Sequence, residues 1–204
     1  MPSSSPFAAP TSRPDFAYIA RWVMHGAKVL DLGCGDGSLL RYLKETRRAH
    51  GYGVEIDFGS LVDCIGNGIN VVQNDLETGL AMFESNSFDC VILSQTLQAM
   101  KHTEDIVREM LRVGREGIVS FPNFGYWRHR LQVLRGRMPV SGALPYEWYD
   151  TPNVHLCTIG DFDRFCAEHG VRVIERAVLT DGQPVSSAPN LMGALAVYRF
   201  DREG

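Results

Sequence analysis

The stretch Val29-Leu-Asp-Leu-Gly-Cys-Gly-Asp-Gly37 decides how the rest of this chain is read. Val29–Leu32 has the make-up of a buried strand. Glycines follow at 33, 35 and 37, and then Ser38–Thr46, where Leu39, Leu40 and Leu43 share one helical face. Glycine permits a tight turn and lets backbone approach a ligand without a Cβ in the way. The N-terminus of the following helix offers N–H groups to a carboxylate. Strand, Gly33-Cys34-Gly35 turn and helix are therefore read as one binding unit, closed by Gly37.

The spacing is G-x-G-x-G, whereas the dinucleotide fingerprint is G-x-G-x-x-G, with its third glycine packing helix on strand. Asp31, read as part of the turn, would repel a pyrophosphate but attract an ammonium group. Glu55 ends a second strand, Tyr52–Ile56, about 20 residues beyond the glycines. A carboxylate there accepts both ribose hydroxyls, and Glu55 is preferred to Asp57 because it terminates the Gly-Val-Glu-Ile56 run. Asp75 follows a third strand, Asn70–Gln73, and can take an adenine amino group with the Leu76 backbone beside it. Ser94–Leu97, beyond a fourth strand at Asp89–Leu93, would edge the pocket. A ligand with an adenosine, an amino acid and no phosphate fits: S-adenosylmethionine or S-adenosylhomocysteine.

Outward from these motifs, apolar runs and helical patterns alternate. Asp15 is expected to cap a first helix bearing Phe16, Ile19, Ala20 and Val23, and Ser60–Ile65 to form a helix. Thr103 is expected to cap a helix with Ile106, Val107, Met110 and Leu111 inward. Gly117–Phe121 reads as a fifth strand, and Thr158–Asp161 as a capping box opening a helix that ends at Gly170. Val171–Leu179 and Gly193–Phe200 read as a closing strand pair joined by the loop 180–190. The fold class expected is α/β: a Rossmann-like, doubly wound sheet, mostly parallel, with an antiparallel C-terminal edge element. Met1–Pro14 is expected to be a disordered leader and 15–204 a single domain.

Composition narrows the function. A net charge of −4 is not a nucleic-acid footprint. Five cysteines without a Cys-x-x-Cys pair argue against a disulfide framework or zinc knuckle and suit a reducing compartment. No apolar run approaches a membrane span, and the Ser- and Pro-rich start lacks the basic-then-apolar order of a signal peptide, so a cytoplasmic protein is expected. No metal site is expected, since the histidines carry no metal spacing. His155 and Cys157, alternating in an extended segment, are read as partly buried structural residues.

Pro122–Cys157 stands apart as irregular, aromatic and locally basic. Arg128, Arg130, Arg135 and Arg137 outnumber Glu147 and Asp150 there. Tyr126, Trp127, Tyr146, Trp148 and Tyr149 are interleaved, a mix enriched in interface hot spots. Trp127, Arg130, Tyr146 and Trp148 are the candidate partner-docking or acceptor-capping residues, against the plainer reading of a solvated loop. Ser94-Gln-Thr-Leu-Gln98 stands where an amine-methylating signature would follow the fourth strand, which disfavours a nucleobase methyltransferase. No catalytic residue is assigned, because methyl transfer from a sulfonium rests mainly on proximity.

Val29–Gly37, Gly53–Ile56, Asp75–Leu76 and Phe88–Leu93 resemble the successive motifs of class I S-adenosylmethionine-dependent methyltransferases. Phe121-Pro-Asn-Phe-Gly-Tyr-Trp-Arg-His-Arg130, Gly136–Val140, Leu144–Asn153 and His155-Leu-Cys-Thr158 resemble the MetW family of methionine biosynthesis proteins, from about Asp15 to Leu179. The resemblance implies action with homoserine O-acyltransferase (MetX), as an activating or regulatory partner. The rival reading is an independent methyltransferase acting on a small molecule. A nicotinamide-dependent oxidoreductase is disfavoured by the glycine spacing and Asp31.

Overall fold

The computed structural model describes residues 13–203, so the expected leader lies almost wholly outside the described residues. Its strands are β1 Lys28–Leu32, β2 His50–Glu55, β3 Asn70–Gln73, β4 Phe88–Ser94, β5 Gly114–Pro122, β6 Val171–Thr180, β7 Gln183–Pro184 and β8 Leu195–Arg202. They form one eight-stranded sheet in the order β3-β2-β1-β4-β5-β8-β6-β7. The pairs β3–β2, β2–β1, β1–β4 and β4–β5 are parallel, while β8 runs antiparallel to both β5 and β6. The order reverses between β1 and β4, which places a crevice at their carboxyl ends.

Strand parity sorts the core. Leu30, Leu32, Val91, Leu93, Val119 and Phe121 face α4 (Thr103–Val113) and α6 (Ile159–Glu168). Val29, Cys90, Ile92, Ile118 and Val197 face α1 (Asp15–Trp22), α2 (Ser38–Arg47) and α3 (Phe58–Gly66). Each fully buried Leu, Ile or Phe contributes about 1.5–3 kcal/mol. The closing antiparallel pair takes one side of the sheet as expected, with β8 inside and β6 outside it. β8 is apolar on both faces, with Ala196, Val197, Tyr198 and Phe200 at 0% exposure, and a strand buried on both faces belongs inside a sheet. β6, carrying Arg172, Glu175 and Arg176, takes the outer place, and only the two-residue β7 lies beyond it.

The sequence reading of the helix starts needs correcting. α1 has no side-chain cap: its N-cap is Pro14, and the Asp15 carboxylate turns inward. Thr103 is the first helical residue of α4, behind His102, and likewise provides no cap. α3 begins at Phe58, with Asp57 as cap accepting from Ser60 N at 2.8 Å. The segment after β5 is not wholly irregular, since it contains α5 (Trp127–Leu134), and a four-residue helix α7 (Pro189–Met192) interrupts the 180–190 loop region. The capping box at Thr158 and Asp161 forms as read, and Gly170 follows α6 at φ +63°. No helix among the described residues is long and apolar enough to cross a membrane.

Candidate functional site

Continuing the parity of Val29, Ile92 and Ile118 to the carboxyl ends of their strands puts Asp31, Ser94 and Ser120 on the α1 side of the sheet. Asp31 belongs to β1 itself rather than to the turn, and is 2% exposed. Its carboxylate accepts no hydrogen bond from any described residue. Burial pushes its pKa up to about 7; the Arg13 guanidinium opposes this, and the Asp15 and Glu55 carboxylates add to it.

Asp15, fully buried, explains why α1 lacks its cap. Its Oδ2 accepts from Ser94 Oγ at 2.7 Å and Ser120 Oγ at 3.0 Å, and Arg13 donates to both its oxygens at 3.1 and 3.0 Å. Burial opposes ionisation, but the guanidinium and the two hydroxyls hold the carboxyl below its ordinary range. Arg13 Nη2 also reaches Ser94 Oγ at 2.6 Å. The Ser94 hydroxyl, read from sequence as a pocket edge, is thus committed to a polar knot that pins the start of α1 across the ends of β4 and β5.

The glycine turn folds as its spacing requires. Gly33, Gly35 and Gly37 have φ of +66°, +56° and +74°, a region that side-chain-bearing residues rarely adopt. A Cβ on Gly33 would lie 2.8 Å from the Thr96 side chain. Gly33 N and Cys34 N both donate to Val54 O, at 2.8 and 3.1 Å, stitching the turn to β2. Cys34 Sγ lies 3.6 Å from Cys64 Sγ of α3, and burial pushes both thiols up.

Glu55 meets this turn. Its Oε2 accepts from Gly35 N at 2.8 Å, and its Oε1 from Ile56 N at 2.8 Å and Asp57 N at 2.9 Å. Ser38 N donates to Asp36 Oδ1 at 3.0 Å. The turn and the start of α2 therefore do not present the row of open N–H donors that the sequence suggested, because neighbouring carboxylates already occupy several of them. Asp75 is exposed and caps a short 3₁₀ turn at Leu76–Thr78, accepting from Glu77 N at 3.0 Å.

The structure thus brings together Asp31, the three glycines and Glu55, with Ser94 at the end of the neighbouring strand, while Asp75 and Leu76 follow β3 one strand beyond Glu55. Sequence reading missed several neighbours. Arg13, Asp15 and Ser120 gave no motif. Phe58 stands 67% exposed close after the 59%-exposed Ile56, an apolar pair beside Glu55. Gln95, within the Ser94–Leu97 stretch expected at the pocket edge, follows β4 at φ +54°, its N–H donating to Ser120 O at 2.8 Å, and such strain in a non-glycine residue collects at functional sites.

The 122–157 segment packs against the loop after β4: Val154 N and His155 N both donate to Gln98 O. His155 is exposed rather than partly buried, with its ring 3.2 Å from Lys101 O, and Cys157 is half-buried. Trp127 and Arg130 lie on α5, Arg130 Nε donating to Gly125 O at 2.6 Å. Tyr146 and Trp148 line a separate small apolar hollow with Phe124, Met138, Leu144 and Leu156. Tyr126 is buried against His129 and is not a surface aromatic.

A family model described as methionine biosynthesis protein MetW matches residues 13–200. A bifunctional methionine biosynthesis protein MetXA/MetW of Rhodopirellula baltica is 39% identical over 193 residues, covering 87% of this chain and 31% of that protein. A ubiquinone/menaquinone biosynthesis C-methyltransferase UbiE of Pseudomonas fluorescens is 32% identical over 139 residues, 63% of this chain and 49% of that one. The chain therefore spans under a third of the first relative and about half of the second. A solved S-adenosylmethionine-dependent methyltransferase from Mesorhizobium loti aligns with a TM-score of 0.70 at 17% identity, covering 96% of this chain and 100% of that one. A TehB-like S-adenosylmethionine-dependent methyltransferase from Corynebacterium glutamicum gives 0.62 at 16% identity, covering 93% and 87%. At such identities the likeness is one of fold.

Proposed function

The chain belongs to the MetW family of methionine biosynthesis proteins, and from that premise we propose that it binds S-adenosylmethionine or S-adenosylhomocysteine and acts as the activating or regulatory partner of a homoserine O-acyltransferase. The partner half of this reading is supported by the Rhodopirellula baltica relative, whose name joins MetXA to MetW in one chain. The ligand half rests on one observation: Asp31 is buried at the switch point of the sheet and its carboxylate accepts no hydrogen bond from any described residue. A buried carboxylate in that state is costly, and a ligand ammonium relieves it. Glu55 would serve the ribose hydroxyls through Oε1, exchanging Ile56 N and Asp57 N for them, while Oε2 keeps Gly35 N. Asp75 and Leu76 would serve the adenine edge, with Ile56 and Phe58 as apolar surface. Trp127, Arg130, Tyr146 and Trp148 would form the partner or acceptor face.

The bound sulfonium would supply an activated methyl group, but a binding site for it in a methionine pathway need not be catalytic. The test has two arms. Calorimetry is expected to give micromolar affinity, about −8 kcal/mol, for one or both adenosyl ligands. Co-purification with the acyltransferase is expected to yield a complex with an altered acylation rate. Heat with neither ligand removes the first half, and separate elution with an unchanged rate removes the second. A second reading, an independent small-molecule methyltransferase, is favoured by the similarity to UbiE proteins. Methyl transfer by the isolated chain to a small acceptor would establish it.

A further inference from the structure

We propose that Arg13 recognises the carboxylate of the ligand's amino acid, so that the start of α1 forms one wall of the adenosyl site. The inference rests on the cofactor reading above and deepens it.

An α-amino acid brings an ammonium and a carboxylate separated by one carbon. Asp31 answers the ammonium. The conventional answer for the carboxylate, open N–H groups at a glycine turn, is largely spent here. Gly33 N and Cys34 N bond to Val54 O, Gly35 N to Glu55, Gly37 N to Cys34 O and Ser38 N to Asp36. A second anion would have to displace a carboxylate already in place. Asp15, Asp31 and Glu55 also gather negative charge at the crevice, so an unescorted ligand carboxylate would be repelled.

Arg13 is the positive group that acts on Asp31, opposing the effect of burial on it. Its Nε and Nη2 edge is used by Asp15 and Ser94, while Nη1 donates to no described residue. The side chain keeps 31% exposure, whereas that of Asp15 has none. One edge of the fork is therefore locked by a buried carboxylate and the Ser94 hydroxyl, and the other is left for a ligand. A guanidinium can serve two anions in this way because its five donors are fixed in a plane. The Asp15–Ser94–Ser120 knot then has a purpose: it holds a cation over the ends of β4 and β5, where the backbone alone would not put one.

The experiment compares S-adenosylmethionine with decarboxylated S-adenosylmethionine, which keeps the amine, sulfonium and adenosine. 5′-Methylthioadenosine lacks the amino acid altogether. Wild-type protein is expected to bind the decarboxylated ligand at least about tenfold more weakly. In Arg13→Gln/Asp15→Asn, which removes the buried pair together, that preference is expected to fall below about threefold. Arg13→Lys keeps a cation beside Asp15 and stands in if the double variant does not fold. It is expected to weaken binding of S-adenosylmethionine at least about fivefold more than binding of the decarboxylated ligand, because one ammonium cannot serve both anions. Equal wild-type affinity for the two ligands overturns the role of Arg13 while leaving the cofactor reading intact, and so does a preference that survives the substitutions. If wild-type protein binds none of the three, the cofactor reading itself fails and this inference with it.

Discussion

Asp31 titrates near neutrality because the sheet removes water from its carboxylate and no described residue replaces that water with a hydrogen bond. Folded, it keeps its proton to about pH 7; unfolded, it loses it near the ordinary carboxylate value. Between the two, the folded chain holds the extra proton, so this residue's contribution to stability is lost as pH rises, by up to about 1.4 kcal/mol per unit. Asp31→Asn removes the effect. The stability gained over wild type in urea melts is expected to grow from pH 5 to pH 7 and then level, and a constant difference contradicts the assignment. Ligand binding has the opposite sense: an ammonium selects the ionised carboxylate, so affinity for S-adenosylmethionine is expected to rise about tenfold per unit up to pH 7. Calorimetry in two buffers of different ionisation enthalpy should detect the released proton. At Gly35 an added Cβ meets nothing within 4 Å, yet φ is +56°. Gly35→Val therefore acts through backbone strain on a β-branched residue rather than through a clash, with an expected cost of about 1–3 kcal/mol and weakened ligand binding.

Two elements owe their positions to buried polar groups. α1 is anchored by Asp15, so Asp15→Ala leaves Arg13 without its anion and two serine hydroxyls without their acceptor. Loss of about 3 kcal/mol is expected from chemical denaturation, and a loss under 1 kcal/mol would show that the knot is dispensable. The stretch after β5 is anchored by His129, which has no exposure. Its Nδ1 lies 3.1 Å from Asn123 O and must donate there, which leaves Nε2 to accept from Ser141 Oγ at 2.9 Å. Burial lowers the pKa of His129. The unfolded segment therefore binds the proton more readily, and local stability drops as pH falls through about 6.5. Hydrogen exchange across 129–144, corrected for intrinsic rate, is expected to show less protection at pH 5.5 than at pH 7.5. His129→Gln should abolish the difference. α5 escaped the sequence reading because its helix carries only His129 fully inward, while Val133 and Leu134 stay exposed, so it has no apolar stripe to recognise.

At the scale of the molecule, the segment that carries the proposed partner face touches the loop beside the proposed ligand site. The 122–157 segment bonds to Gln98 in the loop that follows Ser94. If occupancy of one site changes the other, linkage requires the same factor in both directions, typically about 5–150-fold. Titration of S-adenosylmethionine with and without saturating acyltransferase is expected to give different dissociation constants, with the complex weakened by the end product's derivative. Identical constants together with a flat acylation rate would exclude coupling. Trp148 is 71% exposed; truncating it to Ala is expected to cost at least about 2 kcal/mol of complex affinity if it is an anchor, with ligand affinity unchanged. Unchanged co-elution would remove it from the interface.

The glycine turn, the place of Glu55 at the end of the second strand, and the alternation of strand and helix were legible in the sequence, whereas Asp31 was read in the turn and not on β1. Each depends on residues close along the chain: 3.6- and 2-residue periods, and glycines where backbone must turn left-handed. Glu55 was found because one βαβ unit fixes its distance from the turn. Arg13 and Asp15 meet Ser94 and Ser120 across separations of 79 to 105 residues, which no local pattern encodes, and Asp15 read locally as an ordinary helix cap. The place of β8 between β5 and β6, and the capture of the turn's N–H groups by Glu55 and Asp36, were likewise settled only when the chain closed on itself. Burial and partner geometry are properties of the packed sheet, and they decided that the Asp15 and Glu55 carboxylates are satisfied while that of Asp31 is left without a donor among the described residues.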